Sequence, residues 1–150
     1  MSSTDRIEKE IVLNATQPRV WRALTDSTEF GQWFGLRIDG PFEAGKPVTG
    51  QLTNPGYEHV SLKVMVQSIE PERLFSYRWH PFAMDPKVDY SAEPTTLVEF
   101  RLAEAPGGVT LTIVESGFDA LPASRREEAF RMNDKGWGSQ LERIRKYVAG

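Results

Sequence analysis

The sequence has no cysteine, only two histidines, and no apolar run near the ~18 residues that a membrane-spanning helix needs. Without cysteine there are no disulfide frameworks, thiolate zinc sites, iron–sulfur clusters or cysteine nucleophiles. His59 and His80 alone do not make a histidine-rich metal centre. A dominant charge is missing as well. The 18 basic and 21 acidic side chains leave a net charge of −3 and a pI of about 5.5. That balance provides no basic field to condense on nucleic acid or on an anionic membrane. Met1 to Arg6 carries mixed charge and no apolar segment of the secretory kind. The expectation is a cytoplasmic protein with no metal, no cofactor, no membrane span and no nucleic-acid partner.

What is present suits a packed globule. At 150 residues the chain has the usual size of one domain, so residues 1–150 are read as a single domain. Four tryptophans, four tyrosines and eight phenylalanines supply a core that a disordered chain lacks.

Ile7 to Leu13 reads as a strand, rich in β-branched residues. Thr16, followed by Pro18, is a helix N-cap signal, and Asp26-x-x-Glu29 is a second one. Two short helices are therefore expected after the first strand. Further on, Val60, Leu62, Val64 and Val66 alternate with Ser61, Lys63, Met65 and Gln67. Phe75, Tyr77 and Trp79 share one strand face, as do Thr96, Val98, Phe100 and Leu102. Pro106-Gly107-Gly108 marks a hairpin into Val109, Leu111 and Ile113. Strands joined by short links, with no helices between them, predict an antiparallel sheet.

The C-terminal segment has a different period. Ser124-x-x-Glu127 has the form of a capping box, and Phe130, Trp137, Leu141, Ile144 and Val148 fall on one helical stripe. That stripe predicts a long helix laid on the sheet. Gly136 and Gly138 flank Trp137, each at about 1 kcal/mol of helix propensity. Tolerance of that cost predicts a bend or a close backbone approach there. The helix also carries a basic excess from Arg125 to Lys146, which suits its C-terminus or an acidic partner.

VWRALTDSTEFGQWF, SIEPERLFSYRW, TIVESGF and NDKGWGSQLERI occur together and in this order. The set resembles the START-like helix-grip (SRPBCC) superfamily, in the branch related to the C-terminal domain of Aha-type activators of the ninety-kilodalton heat-shock chaperone. The resemblance spans about Ile7 to Val148. It implies an α+β fold in which a curved antiparallel sheet wraps around a long C-terminal helix. It also implies a ligand cavity between helix and sheet. In that frame Tyr77, Trp79, Phe118, Phe130 and Trp137 are candidate apolar lining, and Asn133 and Asp134 are polar markers at its margin.

Other motifs carry less. Gly40 to Lys46 matches the phosphate-loop spacing, but Pro47 stands where the magnesium-holding hydroxyl belongs and no helix follows, so it reads as a turn. His80, near Asp85 and Asp89, reads as a strand-end histidine, since no G-x-S-x-G nucleophile motif exists. Pro81 to Pro94 is long for a hairpin link and carries Phe82, Met84, Val88 and Tyr90, so it is either a cover for the sheet end or a lid.

The function expected first is non-catalytic binding of a small apolar or aromatic ligand. A chaperone-regulator role follows from the resemblance as an alternative. A cyclase- or hydrolase-like enzyme on the same fold is the further alternative, with Asp134, His80 and Glu115 as its possible titratable groups.

Overall fold

In the computed structural model, residues 5–53, 55–81, 87 and 89–149 are described. The first strand, β1 (Arg6–Leu13), pairs antiparallel with the last, β7 (Gly108–Ser116), from Arg6–Ser116 to Leu13–Val109. Between them lie β2 (Leu36–Ile38), β3 (Pro47–Leu52), β4 (Ser61–Glu70), β5 (Leu74–Trp79) and β6 (Thr96–Ala105). The seven strands form one antiparallel sheet in the order β1-β7-β6-β5-β4-β3-β2. A register shift between Val66 and Ser68, opposite β5, is a bulge of the kind that bends a sheet.

The two short helices form where their caps predict. In α1 (Gln17–Thr25), Thr16 Oγ1 accepts from the Arg19 amide at 3.3 Å, and Pro18 sits in the first turn. In α2 (Ser27–Phe34), Asp26 accepts from the Thr28 and Glu29 amides at 3.0 and 3.1 Å. Gly35 ends α2 with φ 95°, a conformation that favours glycine. Gly31 is fixed by space: a Cβ there would lie 2.1 Å from the Leu36 carbonyl oxygen.

The alternating strands turn their apolar faces inward. Phe75, Tyr77 and Trp79 on β5, Val98, Phe100 and Leu102 on β6, and Val109, Leu111 and Ile113 on β7 are all buried. The long helix α3 (Ala123–Ala149, 27 residues) buries Ala129, Trp137, Leu141, Ile144 and Val148, and Phe130 is half-buried. This is the α+β, helix-grip arrangement: a curved open sheet, a long C-terminal helix, and two short helices after the first strand. No helix among the described residues is long and apolar enough to cross a membrane.

Two local expectations are corrected. Ser124 lies inside α3, which begins at Ala123 with the Pro122 carbonyl accepting from the Arg125 and Arg126 amides. It is therefore not the cap of a capping box. Gly136 and Gly138 are both exposed, and a Cβ added to either meets nothing within 4 Å. Neither marks a close approach.

Candidate functional site: a buried carboxylate behind an aromatic cleft

On β7 the inward alternation Val109, Leu111, Ile113 continues to Glu115, so a carboxylate ends an apolar row. Glu115 is fully buried. The same end of the sheet carries Trp79 on β5 and Thr96 on β6, which are register partners, while Val98 pairs with Glu115. Trp79 Nε1 donates to Glu115 Oε2 at 2.8 Å, and Thr96 Oγ1 donates to the same oxygen at 2.5 Å. From α3, Trp137 Nε1 donates to Oε1 at 2.8 Å. Asn133 Nδ2 reaches both oxygens, at 2.9 and 3.2 Å. Asn133 and Trp137 are four positions apart, one turn of helix, so both face the sheet together.

Burying a carboxylate is costly unless its lone pairs are taken up. Here four donors from two strands and one helix take them up, and all four are neutral. The arrangement fixes the two tryptophans. Their rings lie 5.9 Å apart at 30°, and Trp137 also packs edge-on against Phe34 and Phe100. With both indole N–H groups turned inward to Glu115, the rings can offer only π-surface and edge carbon elsewhere.

That surface lines a cleft of about 160 Å³ bounded by Phe34, Trp79, Asn133, Gly136, Trp137 and Gln140. Gly136 contributes no side chain, which keeps one wall of the cleft open. Gln140 Nε2 donates to the Phe34 carbonyl at 3.0 Å, and Arg143 Nη1 donates to the same oxygen at 3.1 Å. These two bonds tie α3 to the end of α2. Gln140 Oε1 is buried and has no hydrogen-bond partner.

The other sequence-derived candidates are distributed differently. Tyr77 is in the core, where it and Trp79 border a separate void of about 10 Å³ between the sheet and α2. Its hydroxyl is buried without a partner. Burial first, and then the charge of Glu115, push that hydroxyl well above the usual tyrosine range. Phe118 and Phe130 pack edge-on with each other, 5.2 Å between ring centres, and do not border the cleft. Asp134 is half-exposed and pairs with Lys9 of β1 at 3.2 Å, so it too lies off the cleft. Trp79, Asn133 and Trp137 are thus the candidates that the fold brings together.

The titratable trio is not assembled into one centre. His80 Nε2 lies 3.0 Å from the Glu93 carbonyl oxygen, Asp134 is with Lys9, and Glu115 is enclosed by its donors. No group of three potential metal ligands occurs among the described residues. In the loop after β5, Phe82, Met84, Asp85 and Val88 lie outside the described residues. Tyr90 is half-buried under the Arg125 guanidinium at 4.6 Å, and Arg125 pairs with Glu93 at 2.9 Å. Gly40 to Lys46 forms the connection between β2 and β3, with Gly45 at φ 82° and Phe42 buried against Phe30 and Phe75.

Sequence reasoning passed over Thr96, Phe34, Gln140 and the structural weight of Glu115. A signal for two of them was present. An acid and a threonine each fall on the inward register of an otherwise apolar strand, where a polar group needs partners.

A helix-grip fold with an aromatic cleft at the helix–sheet junction defines a START-like protein. The chain belongs to the family described as Activator of Hsp90 ATPase homolog 1-like protein, whose model matches residues 14–149. Among solved structures, protein MLL2253 from Mesorhizobium loti is similar at 22% identity and TM-score 0.75, over 96% of each chain. DynU16, from the dynemicin biosynthetic locus, is similar at 21% identity and TM-score 0.72, over 97% of this chain and 47% of its own. The Aha1 dimer from Colwellia psychrerythraea is similar at 15% identity and TM-score 0.71, over 95% of each. At these identities the likeness is one of fold. No curated protein matches the sequence.

Proposed function

We propose that this protein binds a small apolar or aromatic ligand, as a single START-like domain, in the cleft between α3 and the end of the sheet. The supporting observation is the wall itself: three aromatic rings around about 160 Å³, with both indole donors already engaged by Glu115. Such a wall favours a ligand by apolar contact and ring stacking. The volume is close to the ~150 Å³ of an engineered cavity that holds benzene, so it suits a single ring. Trp79, Trp137 and Phe34 are the contact surface in this reading, and Asn133 and Gln140 are its polar edge. Tyr77 backs Trp79 at 5.2 Å between ring centres, while Phe118 and Phe130, packed on each other, and Asp134, paired with Lys9, have no part in the contact surface.

Toluene is the probe for this reading, followed through the indole N–H resonances of Trp79 and Trp137. Saturable shifts of both signals are expected. Gly136→Leu should abolish them, because its side chain enters the cleft from an exposed helix position where a Cβ meets nothing. The same change should leave the fold intact, since leucine is the better helix former. No saturable shift up to the solubility of toluene, or undiminished binding by the leucine variant, would sink the reading.

The family description favours a second reading, docking to a heat-shock chaperone. The exposed face of α3 offers Arg131, Lys135, Arg145 and Lys146 to an acidic partner surface. Co-purification with the chaperone and stimulation of its ATPase are the measurements. Absence of both removes the idea, and a charge-reversed α3 that still stimulates would remove the basic face from it.

A further inference from the structure

Resting on the cleft reading above, we infer that the ligand is a small organic cation whose positive charge is spread over an aromatic ring or a shell of methyl groups. The charge of Glu115 carries the argument. Its four partners, Trp79, Thr96, Asn133 and Trp137, all donate, so both oxygens act as acceptors, the role of an ionised carboxylate. Every one of these donors is neutral. Among the described residues no lysine, arginine or histidine forms an ion pair with Glu115. The hydrogen bonds satisfy its lone pairs and leave a buried negative charge without a counter-charge.

That charge stands behind the cleft wall. The two indoles that hold it through their N–H groups are the same two that line the cleft. A cation stacked on either ring, within about 6 Å of its centre, is held within roughly one screening length, about 8 Å, of the carboxylate. The field of Glu115 already reaches past its donors: after burial, it is the second cause that raises the Tyr77 hydroxyl.

The wall has the matching polarity. Aromatic rings have negative faces and positive edges, and the N–H is the most positive point on an indole edge. Both N–H groups are turned to Glu115, and donation to a carboxylate leaves the rings richer in electrons. Phe34 adds a third ring, 6.0 Å from each indole. None of the cleft-lining residues is basic. Arg143, which donates to the Phe34 carbonyl, is exposed, so water and salt screen its charge. The wall also selects the kind of cation. A bare ammonium needs several acceptors in place of its water, and three rings supply none. A methylated or ring-delocalised cation needs no such acceptors, and about 160 Å³ admits one group of that size.

The test compares N-methylpyridinium with toluene, which has the same size and shape without the charge, and with benzoate as the anion. Each is titrated into the intact protein and followed through the Trp79 and Trp137 indole N–H signals. Wild type should bind the cation about tenfold more tightly than toluene, the size of a cation–π contact reinforced by a nearby charge. Benzoate should bind more weakly than either. Glu115→Gln removes the charge at nearly constant shape, and its cation-to-toluene ratio should fall to about one. Damage to the wall alone weakens both ligands alike, so the ratio isolates the charge. If that variant does not fold, the order of cation, toluene and anion on wild type decides alone. Toluene bound as tightly as the cation, or benzoate more tightly than toluene, overturns this inference and leaves the cleft reading standing. An undiminished cation preference in folded Glu115→Gln overturns it as well. Binding of none of the three overturns both.

Discussion

Trp79 and Trp137 hold opposite oxygens of Glu115, each indole N–H at 2.8 Å, and so join β5, β7 and α3 at one buried carboxylate. The helix and the sheet are thus connected by directional bonds as well as by apolar contact. This relationship sets the orientation of both rings and, with it, the shape of the cleft.

Removing the acceptor should therefore cost more than removing its charge. Glu115→Gln keeps one oxygen and leaves a donor facing donors, an expected loss of about 1–3 kcal/mol. Glu115→Leu leaves Trp79, Thr96, Asn133 and Trp137 without their common acceptor, and should lose more than the glutamine variant. Urea denaturation midpoints check the order. A leucine variant as stable as wild type would mean that the cluster contributes no net stability.

Gly138 lies exposed on α3, and a Cβ there meets open space. Gly138→Ala should raise stability by about 1 kcal/mol through helix propensity alone. Thermal unfolding provides the measurement. A destabilised variant would show that the helix is bent or crowded at this turn.

The Tyr77 hydroxyl is buried, unpaired and displaced well above its ordinary value of 10.0. A raised pKa means that the folded state holds the proton more tightly than the unfolded chain does. Its contribution to stability is thus intact below 10.0 and is lost as pH rises above it. Tyr77→Phe should remove this alkaline loss. It should also stabilise by about 1 kcal/mol at neutral pH, because an unsatisfied buried hydroxyl disappears. Stability measured from pH 7 to 11 decides the matter. The gap between variant and wild type should be flat up to about pH 9.5 and widen above it, and a constant gap throughout would contradict the assignment.

Much of the architecture was legible because it is local. Thr16 and Asp26 cap α1 and α2 through bonds to amides two or three residues away. Phe75, Tyr77 and Trp79 share a face because strand side chains alternate, and Trp137, Leu141, Ile144 and Val148 share one because a helix repeats every 3.6 residues. The start of α3 was misjudged at Ser124 because a cap depends on backbone angles that the residue type only biases. Gly136 and Gly138 misled for a related reason. Their helical cost is a property of the chain, but whether anything approaches them is a property of the neighbours.

Candidate-site residues were recognised by type more readily than by place. Asn133 and Asp134 are adjacent in sequence, and about 100° of helical rotation sends one to Glu115 and the other to Lys9. Phe118 and Phe130 looked like lining because they are aromatic, and their partners turned out to be each other.

By itself, then, the sequence determined the strand faces, the capped helices and the apolar stripe of α3, and it already set an acid on the inward row of β7. Period and capping act over a few residues, so they can be read along the chain. Only the tertiary structure decided what that acid meets. Its donors Trp79, Thr96, Asn133 and Trp137 lie 36, 19, 18 and 22 positions away and come from β5, β6 and α3. Their meeting depends on strand register across the sheet and on the rotation of the long helix about its axis. Both are settled by packing among parts of the chain that no local pattern connects.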